Sequence, residues 1–316
     1  MKKKVLEDEK VKEYLKQSVK GKENMKNNYS CLSQTMMGMT YEDVLDAVQN
    51  NALVLFPVGV VEAHGPHLPL GTDIFAALNQ ALEIKKFFNQ AGRACVVAPP
   101  FHFGGTKAMT RQFAGTFTSS KEVIVSEIVD ILASLNRFGF RNVVLLNAHG
   151  DDLQKDAMLT AIKEANHRFN MKSYWPEYED DIQRAGFTGN EDYLLKITPM
   201  KLDDAFLIDR WPEDEFDIHA AAFETALMMD ICPDLVRTSR LEGLKPTMLR
   251  GDERQRWNEG HAQDINLVPK AYVGDPVSYK YIHANMGKVY EAYARSLMAQ
   301  FPEMIFRAAD EPYGKE

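Results

Sequence analysis

Apolar positions along this chain recur with two different periods, and the two periods alternate. From Ala52 to Val58 every residue is apolar, and the run stops at Gly59; this is the pattern of a strand buried on both faces of a parallel sheet. Beyond Asp73, the residues Ile74, Ala77, Leu78, Leu82 and Phe88 fall at helical spacing as far as Gly92, which predicts an amphipathic helix. Ala94 to Ala98, ended by Pro99 and Pro100, reads as a second strand. A capping-box pattern opening at Ser119 starts the next helix, with Val123, Val125, Ile128, Leu132 and Leu135 as its buried stripe up to Gly139. Asn142 to Leu146 is a third buried strand, a helix follows from Asp151 or Asp152 toward Phe169, and Lys172 to Trp175 is a fourth strand before the acidic stretch Glu177 to Asp181.

Strands separated by helices of this length make βαβ units, so the predicted fold class is α/β, a three-layer α/β/α arrangement around a mainly parallel sheet. After about residue 186 the pattern weakens. A helix from Ala220 to Ile231 is stopped by Pro233, Arg237 to Pro276 is polar and punctuated by Gly and Pro, and a last helix from Asn285 to Phe301 packs Met286, Val289, Ala292 and Leu297. The first residues are rich in Lys and Glu, with Val11 and Leu15 at helical spacing. Residues 1–38 therefore read as a helical extension, and residues 39–316 as one catalytic-sized domain.

Composition narrows the function. The chain has 316 residues, 45% hydrophobic and 26% charged, with 37 basic against 45 acidic residues and a net charge of −8. That balance disfavours nucleic acid and anionic membrane as partners and leaves a small-molecule substrate as the expectation. No apolar run approaches the roughly 20 residues that span a bilayer, and the start has no apolar signal core. Cys31, Cys95 and Cys232 are widely spaced and form no Cys-x-x-Cys pair, so the expected setting is a reducing cytoplasm.

The polar residues that matter follow the strands, because ligands of open α/β sheets sit beyond the carboxyl ends of the strands. The first strand runs into a Gly- and Pro-rich loop carrying Glu62 and His64, and Asp73 opens the next helix. Side chains two residues apart on an extended chain point the same way. The third strand delivers Asn147, Ala148, His149, Gly150, Asp151 and Asp152 at the equivalent place. Singly, Asp73 and Asp151 could be helix N-caps and each His a hydrogen-bonded loop residue. Jointly, oxygen and imidazole donors on two post-strand loops form a ligand set for a cation such as zinc, manganese or iron.

These residues lie in blocks that resemble the creatininase, or creatinine amidohydrolase, family. PVGVVEAHGPHLPLGTD follows that family's PxGsxEqHGpHLPlgTD pattern, and PPFHFGGTKAMTRQFAGTFT, NAHGDD and HAAAFETALMMDICPDLV follow three further blocks in the family's order. The resemblance covers roughly residues 40 to 300. It implies an α/β/α fold, a homo-oligomer with a hexamer among its forms, and two divalent metal ions per subunit. It also implies metal-assisted hydrolysis of a small cyclic amide or related C–N bond. By position, Glu62 and His149 would bind one metal, His64 the other, and Asp73 would bridge both. Glu224 would complete the second site or hold the nucleophilic water, with Asp151 as the competing ligand. His219 is the first candidate to protonate the leaving group and Asp151 the second, while Glu224 could act as base.

The chain also departs from the family. Asp151 and Asp152 stand where many members have Gly-Asn, Ala222 where many have an acid, and Ala226 where Ser is common. Creatininase proper carries a Tyr where Gly150 stands, which argues against creatinine as substrate. Two alternatives remain: a relative that cleaves a ring C–C bond of a cyclic polyol diketone, of the 3-dehydro-scyllo-inosose type, and a non-enzymatic α/β binding protein. No GxGxxG or GxxxxGK[ST] motif supports a nucleotide site.

Overall fold

In the computed structural model, which describes residues 32–184, 187–198, 206–208 and 217–301, successive side chains of the first strand enter two different cores. Along β1 (Leu53–Val58), Val54, Phe56 and Val58 face one core while Leu53 and Leu55 face the other. An uninterrupted apolar run requires this, since a strand turns alternate residues to opposite faces and both must be dry.

Four further strands complete a parallel sheet with β1: β2 (Cys95–Val97), β3 (Asn142–Asn147), β4 (Lys172–Tyr178) and β5 (Leu194–Ile197), in the order β2-β1-β3-β4-β5. Helix α2 (Thr72–Gln90) covers one face together with the last helix, α8 (Met286–Ala299), through Leu78, Ile84, Phe88, Tyr293 and Leu297. Helices α3 (Lys121–Phe138) and α4 (Asp152–Arg168) cover the other through Ile124, Ile128, Leu132, Met158 and Ile162. This is the three-layer α/β/α arrangement.

The remaining elements are short. Helix α1 (Tyr41–Gln49) precedes β1 and has a reciprocal Thr40–Asp43 capping box, and α5 (Glu179–Arg184) follows β4. An antiparallel pair, β6 (Phe206–Ile208) with β7 (Ile282–Ala284), stands apart from the main sheet. Helices α6 (Ala222–Ile231) and α7 (Glu253–Glu259) lie in the C-terminal third. Among the described residues no helix is long and apolar enough to cross a membrane. Of the extension expected over 1–38, residues 1–31 lie outside the described residues. Residues 32–38 form two 3-10 turns that bury Thr35 and lay Met36 on the core.

Three expectations change. The cap of α3 is Ser120, whose side chain accepts from the Val123 amide, and not Ser119. The predicted stripe holds at Ile128, Leu132 and Leu135, but in the first turn Ile124 is buried and Val123 is 53% exposed. Strand β4 runs on to Tyr178, and the acidic stretch continues as a helical turn. Strand β5 went unread because four residues are too few to display a period. Leu132, fully buried between α3 and the sheet, gives a stability test: Leu132→Ala is expected to cost about 2–5 kcal/mol, measured from the denaturant midpoint. A loss under about 1 kcal/mol would place Leu132 outside the packed core.

The strand order also selects where a ligand goes. The chain leaves β1 for the edge strand β2 and then returns to β3 on the opposite side of β1. Connections therefore diverge above β1 and β3, which opens a crevice at their carboxyl ends. The loops after those two strands carry Glu62, His64 and His149.

Candidate metal centre

The β1 loop is held in a fixed shape by its backbone. The Glu62 amide donates to Leu70 O at 2.9 Å and the Gly65 amide to Ala271 O at 2.7 Å. Gly65 has φ +63°, and a Cβ there would sit 2.8 Å from the His67 ring, so glycine is needed for both conformation and space. The loop aims Glu62 and His64 into the crevice. Asp73 arrives in the first turn of α2 and Glu224 in the first turn of α6, positions where unpaired helix amides favour a carboxylate. Glu224 Oε2 accepts from the Ala220 amide at 2.5 Å, and Ala220 adopts φ +49°, a backbone turn that sets His219 and Glu224 on the same side.

Six side chains converge. Asp73 divides its oxygens: Oδ1 is 3.1 Å from His64 Nε2 and Oδ2 is 3.0 Å from His149 Nδ1. Glu62 Oε1 lies 3.1 Å from His149 Nδ1, 3.8 Å from His219 Nδ1 and 3.9 Å from His64 Nε2. Glu224 Oε2 is 3.9 Å from His64 Nε2. Among the described residues, three overlapping sets have ligand atoms close enough to hold an ion: Glu62, Asp73 and His149; His64, Asp73 and Glu224; Glu62, His64 and His219. All but Glu224 are almost fully buried.

Electrostatics call for cations here. Burial opposes the charged form of His64, yet Asp73, then Glu224 and Glu62, raise its pKa to about 10; His149 is raised well above the ordinary range by Glu62 and Asp73 against the same penalty. Burial likewise opposes ionisation of Glu62 and Asp73, but the neighbouring imidazoles hold both carboxyls below their usual range. Buried polar atoms are left without a hydrogen bond: His64 Nε2, Asp73 Oδ2 and His149 Nε2. Such orphans are costly unless something charged or polar meets them. Two of the three lie at the facing edge of the ligand sets, and a cation is the partner that imidazole nitrogen and carboxylate oxygen both accept. Divalent metal fits the residues present.

The imidazoles are already oriented. His64 Nδ1 donates to the Glu62 carbonyl at 3.1 Å and His219 Nε2 to the Ala63 carbonyl at 2.8 Å, leaving His64 Nε2 and His219 Nδ1 turned inward. The His219 ring rests against His64 and Trp257, with centroids 4.3 and 5.7 Å away. Asp151 is not brought among the ligand sets. It caps α4, with Oδ1 accepting from the Leu153 amide at 2.8 Å and Oδ2 from the Lys107 and Ala108 amides at 2.9 Å each.

Sequence reasoning missed Thr110, whose hydroxyl donates to Glu62 Oε2 at 2.6 Å, and gave His67 no role. His67 is buried beneath the site and pairs with Thr225 Oγ1 at 2.9 Å; burial, then the charges of His64 and His219, lower its pKa to about 4. A threonine in a loop carries no periodic signal. His102, His167, His261 and His283 are exposed.

The profile of one protein family, described as creatinine amidohydrolase, matches residues 37–300. The chain belongs to the creatininase family. It is 29% identical over 114 residues to the 3-dehydro-scyllo-inosose hydrolase of Thermotoga maritima, covering 36% of this chain and 35% of that one. It is 29% identical over 190 residues to the mycofactocin precursor peptide peptidase of Mycolicibacterium smegmatis, covering 60% and 62%. The chain thus matches about a third and somewhat under two thirds of the length of these two relatives. A crystal structure of creatininase superposes with a TM-score of 0.60 at 18% identity over 85% of this chain and 98% of that one, a likeness of fold. Creatininase has also been solved in a manganese form, and a mutant of it in a Zn–Zn form.

Proposed function

We propose that this chain is a metal-dependent hydrolase with two divalent cations per subunit, acting on a C–N bond of a small cyclic amide or a related substrate. Glu62 and His149 would hold one cation and His64 and Glu224 the other, with Asp73 placed to serve either. The observation that carries this reading is the division of Asp73, one oxygen 3.1 Å from His64 and the other 3.0 Å from His149. Zinc, manganese and iron all suit such a donor set. Bound here, the ions would supply Lewis acidity and make water nucleophilic near neutral pH.

The remaining work falls to the chain's own groups. His219 holds its Nε2 proton on the Ala63 carbonyl, so Nδ1 is the atom that can carry a proton toward a leaving group. The rings of His64 and Trp257 pack against the His219 ring. Asp151 has both oxygens engaged by backbone amides and takes no part in proton transfer. A second reading, cleavage of a ring C–C bond of a cyclic polyol diketone, is supported by the similarity to the inosose hydrolase. The proposed setting is a cytoplasmic homo-oligomer.

Incubating the metal-loaded protein with lactams, cyclic ureides and keto-inositols tests the choice. Turnover confined to keto-inositols would replace the C–N reading with the C–C one. The ligand assignment has its own check: at saturating zinc, Glu224→Ala is expected to hold about one ion fewer per chain, whereas Asp151→Ala keeps the full complement. Elemental analysis at equilibrium decides, and the opposite pattern would exchange the two residues.

A further inference from the structure

Thr110 and Asp151 lie outside the six converging side chains, yet hydrogen bonds connect both to Glu62. An ionised carboxylate can only accept, so the Thr110 hydroxyl spends its one hydrogen on Glu62 Oε2, at 2.6 Å. The Thr110 oxygen can then only accept from Thr106 Oγ1, 3.1 Å away. Thr106 shares its own hydrogen with Asp151 Oδ2 at 3.3 Å. Both threonines are 1% exposed, so water cannot replace either partner.

The backbone follows the same route. Asp151 grips the Lys107 and Ala108 amides, immediately before the 3-10 turn Met109–Gln112 that carries Thr110. On the far side, Thr116 Oγ1 donates to Thr110 O at 2.8 Å and accepts from the Ala63 amide at 2.9 Å. Thr110 is therefore clamped between the cap of α4 and the residue next to Glu62. With Oε2 held, only Oε1 is left to face His149 Nδ1, at 3.1 Å.

We propose that Thr110 is a positioning residue that makes Glu62 a one-oxygen ligand, and that Asp151 acts on the metal centre through it, by way of Thr106 and the 107–108 backbone. The inference rests on the two-cation reading above. Partners of this kind set the orientation and basicity of a ligand, and losing one typically weakens binding about 10- to 100-fold.

The test is Zn²⁺ affinity, measured by competition with a chromophoric chelator in the Glu224→Ala background, where the site of Glu62 and His149 is read alone. Adding Thr110→Val is expected to weaken Zn²⁺ binding about 10- to 100-fold, and Thr110→Ser to stay within about threefold of the parent. Asp151→Ala is expected to weaken binding less, and the double variant to be no weaker than Thr110→Val alone, because both changes act through one hydroxyl. A general loosening of the fold would not be rescued by serine. If Thr110→Val does not fold, Thr106→Val breaks the same chain one hydroxyl further out and carries the test with the same expected direction. Parent-like affinity in the valine variant, or effects of Asp151→Ala and Thr110→Val that multiply in full, would overturn the tether while leaving the two-cation reading intact. A wild-type protein that binds no Zn²⁺ would overturn both.

Discussion

Replacing Asp73 by Asn is expected to empty both cation positions together, lowering bound metal from about two ions per chain to well under one and hydrolysis by on the order of 10³-fold or more. The two oxygens of Asp73 face different imidazoles, at 3.1 and 3.0 Å. An amide offers one acceptor and turns an NH₂ toward the other side, where it has no lone pair to give. It also removes the negative charge that would offset the mutual repulsion of the two proposed cations. Glu62→Gln should be milder, since Glu62 belongs with His149 and its loss weakens chiefly one position. Elemental analysis of both variants beside the wild type checks the contrast. An Asp73→Asn protein that retains two tightly held ions and full activity would remove Asp73 from the shared role.

His219→Ala is expected to lower kcat about 10²- to 10⁴-fold, the range of a lost proton-transfer group, with both ions retained. His219 anchors one nitrogen on the Ala63 carbonyl and turns the other toward the centre, 3.8 Å from Glu62 Oε1. That geometry suits delivery of a proton. It also permits ligation, because Glu62, His64 and His219 form one of the three possible ligand sets. Metal content separates the two roles. If the alanine variant loses an ion in proportion to its activity, His219 is a ligand and the proton must come from elsewhere.

The legible part of the fold was the part with a period. Strands β1 and β3 are buried on both faces, so their runs could hardly be anything else, and helices α2 and α4 showed their apolar faces within a residue or two of their observed ends. Val123 was misassigned because the core face set by Ile128, Leu132 and Leu135 continues one turn back at Ile124, and the neighbouring residue points about 100° away around the helix, into solvent. Strands β5 and β6, with four and three residues, gave no pattern to count. The candidate site was legible because its donors sit at strand ends in unusual company. Glu62, His64 and His149 fall on two loops, with Asp73 opening the helix after the first, and the common location of those loops follows from the parallel sheet alone.

By itself, the sequence determined the α/β class, the two post-strand loops and the kinds of donor atom they present, since each depends on neighbours within a few residues. Only the tertiary structure distinguishes the surroundings of Asp151 from those of Glu224. Both are carboxylates near a helix start, and what separates them is through-space geometry: the amides of Lys107 and Ala108, more than 40 positions away in the chain, engage Asp151, while the turn at Ala220 leaves Glu224 facing His64. The contact of Thr110 with Glu62 is visible only there too. The Thr110 hydroxyl meets Glu62 only because the chain folds back over 48 positions to set it 2.6 Å from the carboxylate, and no local pattern of hydrophobic and polar residues encodes such a distance.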